Sequence, residues 1–131
     1  MDFDTYQTEA MRTSSSLGDR LTVFTLGLTG EAGEVADLIK KHRGHGHDLD
    51  KTKLQKEMGD VLWYLAALAS EAGLSLSVIA EANVQKLRAR YPDGFTVADS
   101  HAKRDEVPGG IPRGPDLEGL ARREAAVGGE S

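Results

Sequence analysis

The sequence predicts an all-α fold, four helices followed by a tail, and three observations carry that reading. Apolar residues recur at helical spacing in four segments, each segment opens near a capping residue and closes on a serine, glycine or proline cluster, and strand-like alternation is absent. The first helix is expected from about Asp4 to about Thr13, with Phe3, Tyr6, Ala10 and Met11 inward, and the serines at 14 to 16 break it. The second begins after Asp19 and runs to about Arg43 with Leu21, Phe24, Leu28, Val35 and Ile39 as its stripe, until GHGHDLD interrupts it. Asp50 caps a third, carrying Leu54, Met58, Val61, Leu65, Leu68 and Ala72 on one side and ending at Gly73. Ser75 or Ser77 caps a fourth, with Leu76, Ala80, Val84, Leu87 and Tyr91 inward, and Pro92-Asp93-Gly94 closes it. Short connections make neighbouring helices antiparallel.

A chain of 131 residues fits one domain, expected over residues 1–96. Residues 97–131 read as a flexible Gly/Pro-rich tail, because six of the 15 glycines and three of the four prolines fall in 108–131 with few large apolar groups. Within it, Asp116 to Val127 has the composition of a short helix. The absence of cysteine excludes disulfides, thiolate metal sites and a cysteine nucleophile, and suits a reducing, cytoplasmic setting. The start MDFDTYQTEAM lacks the basic and apolar run of a secretory signal, and no apolar stretch is long enough to span a bilayer, so no membrane partner is expected. A formal charge of -5 argues against binding nucleic acid through its phosphate backbone. An anionic small molecule would need a bridging cation or a local basic cluster.

Acidic residues on two helices meet that requirement. At about 100° per residue, Glu31 lies between Phe24 and Leu38 in the apolar arc, and Glu34 is roughly 60° further round. The third helix repeats the arrangement: Glu57 falls between Tyr64 and Leu68, with Asp60 offset in the same sense. Carboxylates facing a core neutralise, find partners or hold a cation. A single such pair is most often a wet helix edge, here within reach of Lys40, Lys41, Lys53 or Lys56. Two pairs with inward members on adjacent helices favour a metal cage, and oxygen-only ligands favour Mg²⁺, with Mn²⁺ as a substitute.

The string GEAGEVADLIKK, then KEMGDVLWYL with 22 residues between Glu34 and Glu57, then NVQKLRARYP, resembles the MazG-like all-α nucleoside triphosphate pyrophosphohydrolases over roughly residues 3–96. The resemblance implies a four-helix core assembled as a dimer or tetramer, with Mg²⁺ held by Glu31, Glu34, Glu57 and Asp60 as metal ligands and catalytic groups. It further implies hydrolysis between the α- and β-phosphates of an NTP or dNTP, releasing a monophosphate and pyrophosphate in nucleotide-pool housecleaning. Asn83 and Lys86 take substrate contacts by the same resemblance. Arg90 joins them on the helical wheel, within roughly 60° of both. Lys40 and Lys41 either reach the distal phosphates or complement the end of the second helix.

Other signals read more plainly. Trp63 points away from its helix's leucine stripe, on the side of Ala66 and Ala67, and a subunit interface is the expected role. His42, His45 and His47 read as a solvated glycine loop. Gly30 and Gly33 are expected to let a neighbouring helix approach the acids. A di-iron carboxylate bundle is disfavoured, since it needs Glu-x-x-His pairs where positions 34 and 60 are Glu and Asp. Two alternatives stay open: a non-enzymatic helical interaction module, and a related all-α enzyme specific for dUTP, dCTP or phosphoribosyl-ATP.

Overall fold

A computed structural model of the chain describes residues 1–16 and 18–102. Five helices follow in order, α1 (Phe3–Met11), α2 (Arg20–His45), α3 (Lys51–Glu71), α4 (Leu76–Arg90) and α5 (Val97–Ala102), with no strand among the described residues. The fold is all-α, as the sequence predicts. The chain divides into two compact units, residues 1–76 and residues 77–131. The expected helix at Asp116 to Val127 lies outside the described residues. No single helix among the described residues is long and apolar enough to cross a membrane.

Side-chain caps set the helix starts. Asp2 accepts from the Thr5 amide at 2.7 Å, Asp19 from the Thr22 amide at 3.3 Å and Asp50 from the Lys53 amide at 2.9 Å, so each carboxylate satisfies a donor the helix itself leaves open. At the other end of α2, Gly46 takes a left-handed φ of 73°, and the His47 amide donates to the Lys41 carbonyl at 3.2 Å. That closure ends the helix two residues later than the sequence suggests.

In the first unit, α1 and α2 both pack on α3. The contacts run antiparallel: Arg20 of α2 pairs with Glu71 of α3 at 3.0 Å, Phe24 meets Trp63 edge-on at 6.0 Å, and Gly27 faces Tyr64. From α1, Gln7 donates to the Ser70 hydroxyl (2.8 Å) and the Leu74 carbonyl (2.9 Å), and Trp63 Nε1 donates to the Ala10 carbonyl (3.1 Å) and the Thr13 hydroxyl (2.9 Å).

These contacts reverse the expected orientation of α3. Its buried residues are Ala66, Ala67 and Ala69, while Met58 and Leu65 of the leucine stripe remain 56% and 37% exposed. Small side chains let two helices come close, and the indole, whose N–H needs a partner, is satisfied by the end of α1. The Trp63 side is therefore packed within the chain against α1 and α2, with the indole itself half-buried. Phe3 and Leu21, expected inward, are likewise exposed.

The second unit contains the rest of α4 together with α5. The Tyr91 and Phe95 rings meet at a tilt of 45° with centroids 5.3 Å apart across the Pro92-Asp93-Gly94 turn, and Gly94 supplies its positive φ of 93°. The helix α5 has no counterpart among the expected elements. Thr96 caps it reciprocally, accepting from the Asp99 amide at 3.0 Å and donating to the Asp99 carboxylate at 2.7 Å.

Candidate metal and nucleotide site

The register of the α2–α3 pair decides where the acids meet. Steps that set Arg20 opposite Glu71 and Gly27 opposite Tyr64 carry on by one turn to bring Glu31 beside Asp60 and Glu57, because antiparallel helices advance equally per residue. Glu31, Glu57 and Asp60 each offer one carboxylate oxygen, and these oxygens lie within 4.8 Å of one another. Glu34 stands outside this triplet and is exposed.

The acids do not point into a core. Glu31 and Glu57 are half-buried and Asp60 is exposed, and no polar or charged side chain among the described residues is fully buried. The expected burial of Glu31 is thus corrected: a position within the apolar arc is covered only where a neighbouring helix lies over it. What remains is convergence. Three carboxylates at this spacing repel one another unless a cation lies between them, and an all-oxygen set suits a hard divalent ion. The triplet thus fits a divalent metal by donor type and spacing.

Packing brings Gly27, not Gly30 or Gly33, against α3. A methyl group on Gly27 would overlap the Tyr64 ring, whereas one on Gly30 or Gly33 meets nothing within 4 Å. The Tyr64 ring, itself edge-on to Trp63 at 4.9 Å, occupies the notch one turn before Glu31 and holds the register that places the acids. Burial raises the Tyr6 hydroxyl above its ordinary range, and the negative charge of Asp60 adds to it.

The predicted cations have separate environments. Lys40 and Lys41 both pair with Asp37, Lys41 at 2.5 Å and Lys40 through the other carboxylate oxygen. Hydrogen bonds from Lys40, then from Lys41, pull Asp37 down to about 2, and the Lys41 ammonium is raised chiefly by its bond to Asp37, with a smaller push from Glu34. Sequence reading did not single out Asp37, although its spacing of three and four residues from two lysines was the available signal. On α4, Asn83 is exposed while Lys86 and Arg90 are half-buried, and the Arg90 guanidinium lies 5.9 Å over the Tyr91 ring. The histidine segment is an ordinary helix closure: His42 Nδ1 donates to the His47 carbonyl at 2.8 Å, and the His45 and His47 rings meet edge-on at 6.2 Å.

The family of the chain is decided by a match over residues 19–95 to the profile described as the MazG nucleotide pyrophosphohydrolase domain. The chain belongs to the MazG family. Among curated proteins, the gene 37 protein of Mycobacterium phage L5 is 36% identical over 105 residues, covering 72% of this chain and 92% of the phage protein. Human dCTP pyrophosphatase 1 is 34% identical over 91 residues, covering 65% of this chain and 53% of the human protein. No solved structure gives a significant match. The MazG match contains Glu31, Glu57 and Asp60 as well as Asn83, Lys86 and Arg90, and it assigns the chain to the nucleotide pyrophosphohydrolases, which are hydrolases.

Proposed function

We propose that this MazG protein hydrolyses a nucleoside or deoxynucleoside triphosphate between its α- and β-phosphates, with Mg²⁺ held at Glu31, Glu57 and Asp60 and with Glu34 completing the acidic set. The observation that supports it is the convergence of three carboxylates from two antiparallel helices inside the region matched to the family. Water adds to the α-phosphorus, the bond from that phosphorus to the bridging oxygen breaks, and pyrophosphate leaves with a nucleoside monophosphate as the other product. Bound Mg²⁺ would supply neutralising charge to the triphosphate oxygens and polarise the phosphoryl group under attack. Glu34, on the same helix and outside the triplet, is the carboxylate free to orient the attacking water and accept its proton.

Asn83, Lys86 and Arg90 keep the roles their chemistry suits: an amide that can bond base, sugar or phosphate, and two cations for phosphate oxygens. Lys40 and Lys41 are assigned to the distal phosphates. The protein works in the cytoplasm on free nucleotides, removing unwanted ones, with neither nucleic acid nor membrane as partner. It assembles as a dimer or tetramer, which would cover the apolar side chains left open on its helices, among them Leu26 at 67% exposure.

The test is product identification with a panel of natural and damaged nucleoside triphosphates and Mg²⁺. The dCTP pyrophosphatase among the relatives makes dCTP the first compound to try. Monophosphate with pyrophosphate is expected. Diphosphate with orthophosphate would move the cleavage point and reject the proposal.

A further inference from the structure

The acids and the paired lysines follow one another along α2, and the residue joining them has no role in the reaction as described above. Asp37 is 29% exposed at its side chain, against 60% for Lys40 and 44% for Lys41, so the carboxylate is the least exposed of the three groups. Each of its oxygens accepts from a different lysine. Two ammonium groups that would otherwise repel are thereby held side by side, and the cluster keeps one net positive charge. An ammonium has three donors, so each lysine retains donors for another acceptor after bonding Asp37.

Direction matters as much as charge. Lys41 lies about 20° round the helix from Glu34 and two turns further along, and side chains on a helix lean toward its N-terminus. The Lys41 ammonium therefore leans back along the acid-bearing face, and the charge of Glu34 already acts on it. A free lysine would lose the freedom of a four-carbon stem on binding phosphate. A tethered one has lost part of it beforehand.

We propose that Asp37 is a positioning residue, tethering Lys40 and Lys41 as a paired cationic clamp for the phosphates of the substrate that lie beyond the metal-bound ones. The inference rests on the pyrophosphohydrolase reading for the identity of that substrate, and it concerns a residue that does not itself touch the phosphates.

The experiment compares the full-length protein with Asp37→Asn and Asp37→Glu in two arms. Steady-state hydrolysis of a nucleoside triphosphate should show KM raised about tenfold in Asp37→Asn, with kcat changed several-fold less than KM, and largely restored in Asp37→Glu. Calorimetric binding of inorganic tripolyphosphate with Mg²⁺ should weaken by about tenfold in Asp37→Asn, while Mg²⁺ binding alone matches the wild type. Unchanged KM and tripolyphosphate affinity in Asp37→Asn would overturn the clamp, as would failure of Asp37→Glu to restore them or a parallel loss of Mg²⁺ binding. If the wild-type chain yields no monophosphate and pyrophosphate, the hydrolase reading fails by itself. The tripolyphosphate arm then still decides the role of Asp37.

Discussion

At Gly27 the Tyr64 ring occupies the space a side chain would need, and one residue thereby sets how closely α2 approaches α3. Gly27→Ala is expected to destabilise the protein by about 1–3 kcal/mol, since overpacking outweighs the better helix propensity of alanine. Gly30→Ala, in open space, should be neutral or stabilising by up to about 1 kcal/mol. Thermal melts of the two variants check the pair, and equal shifts would mean that Tyr64 yields freely. Asp37 offers a second test. Its folded value near 2 lies below the ordinary 3.8, so the stabilisation from its lysine pairing is complete above that ordinary value and is lost as pH falls toward 2. A carboxyl NMR titration should place its midpoint near 2 and move it upward in Lys40→Ala and Lys41→Ala; a wild-type midpoint near 3.8 would contradict the tether. Residue identities at the acidic positions could be read from spacing, because ExxE and ExxD on two helices leave a periodic trace. The Gly27 notch left none, since a glycine in a helix looks the same whether a ring or solvent lies beside it.

Helix starts were the most legible elements. Asp19 and Asp50 are caps in the structure as the sequence indicates, because capping is a local exchange of one carboxylate with an amide three residues on. Asp50→Ala is expected to cost about 1 kcal/mol and to speed amide hydrogen exchange in the first turn of α3, with the middle of that helix unaffected. Uniform acceleration along α3 would show that the cap acts globally. Faces were less legible than ends. The helix α3 is apolar nearly all round, so periodicity could not say which side is inward, and the leucine stripe was the natural but incorrect choice. Close packing selected the alanine side, and the Trp63 N–H, bonded to Ala10 and Thr13, fixed it. The helix α5 escaped notice because its signal, Thr96 with Asp99 three residues on, begins where the composition turns tail-like.

For the molecule as a whole, the fold class and family lay open in the sequence, while the degree of burial did not. Phe24 is the only large aromatic side chain buried among the described residues, and apolar groups such as Leu26, Met58 and Phe95 stay exposed at 67%, 56% and 72%. Where such side chains adjoin in one patch, the surface suits association with a second copy. Sedimentation of the full chain should therefore show a dimer or tetramer, and a monomer at concentrations of about 10–100 μM would contradict the assembly proposed here. Charge follows the same logic: a chain of net charge -5 in a family that acts on nucleotides calls for a bridging cation or a local basic cluster. A metal held by Glu31, Glu57 and Asp60 is tested most directly by isothermal titration of Mg²⁺ into the wild-type protein and into Glu57→Gln. The expected result is saturable binding in the wild type, weakened by at least about a hundredfold in the variant. Superimposable isotherms, or no binding by either protein, would contradict it.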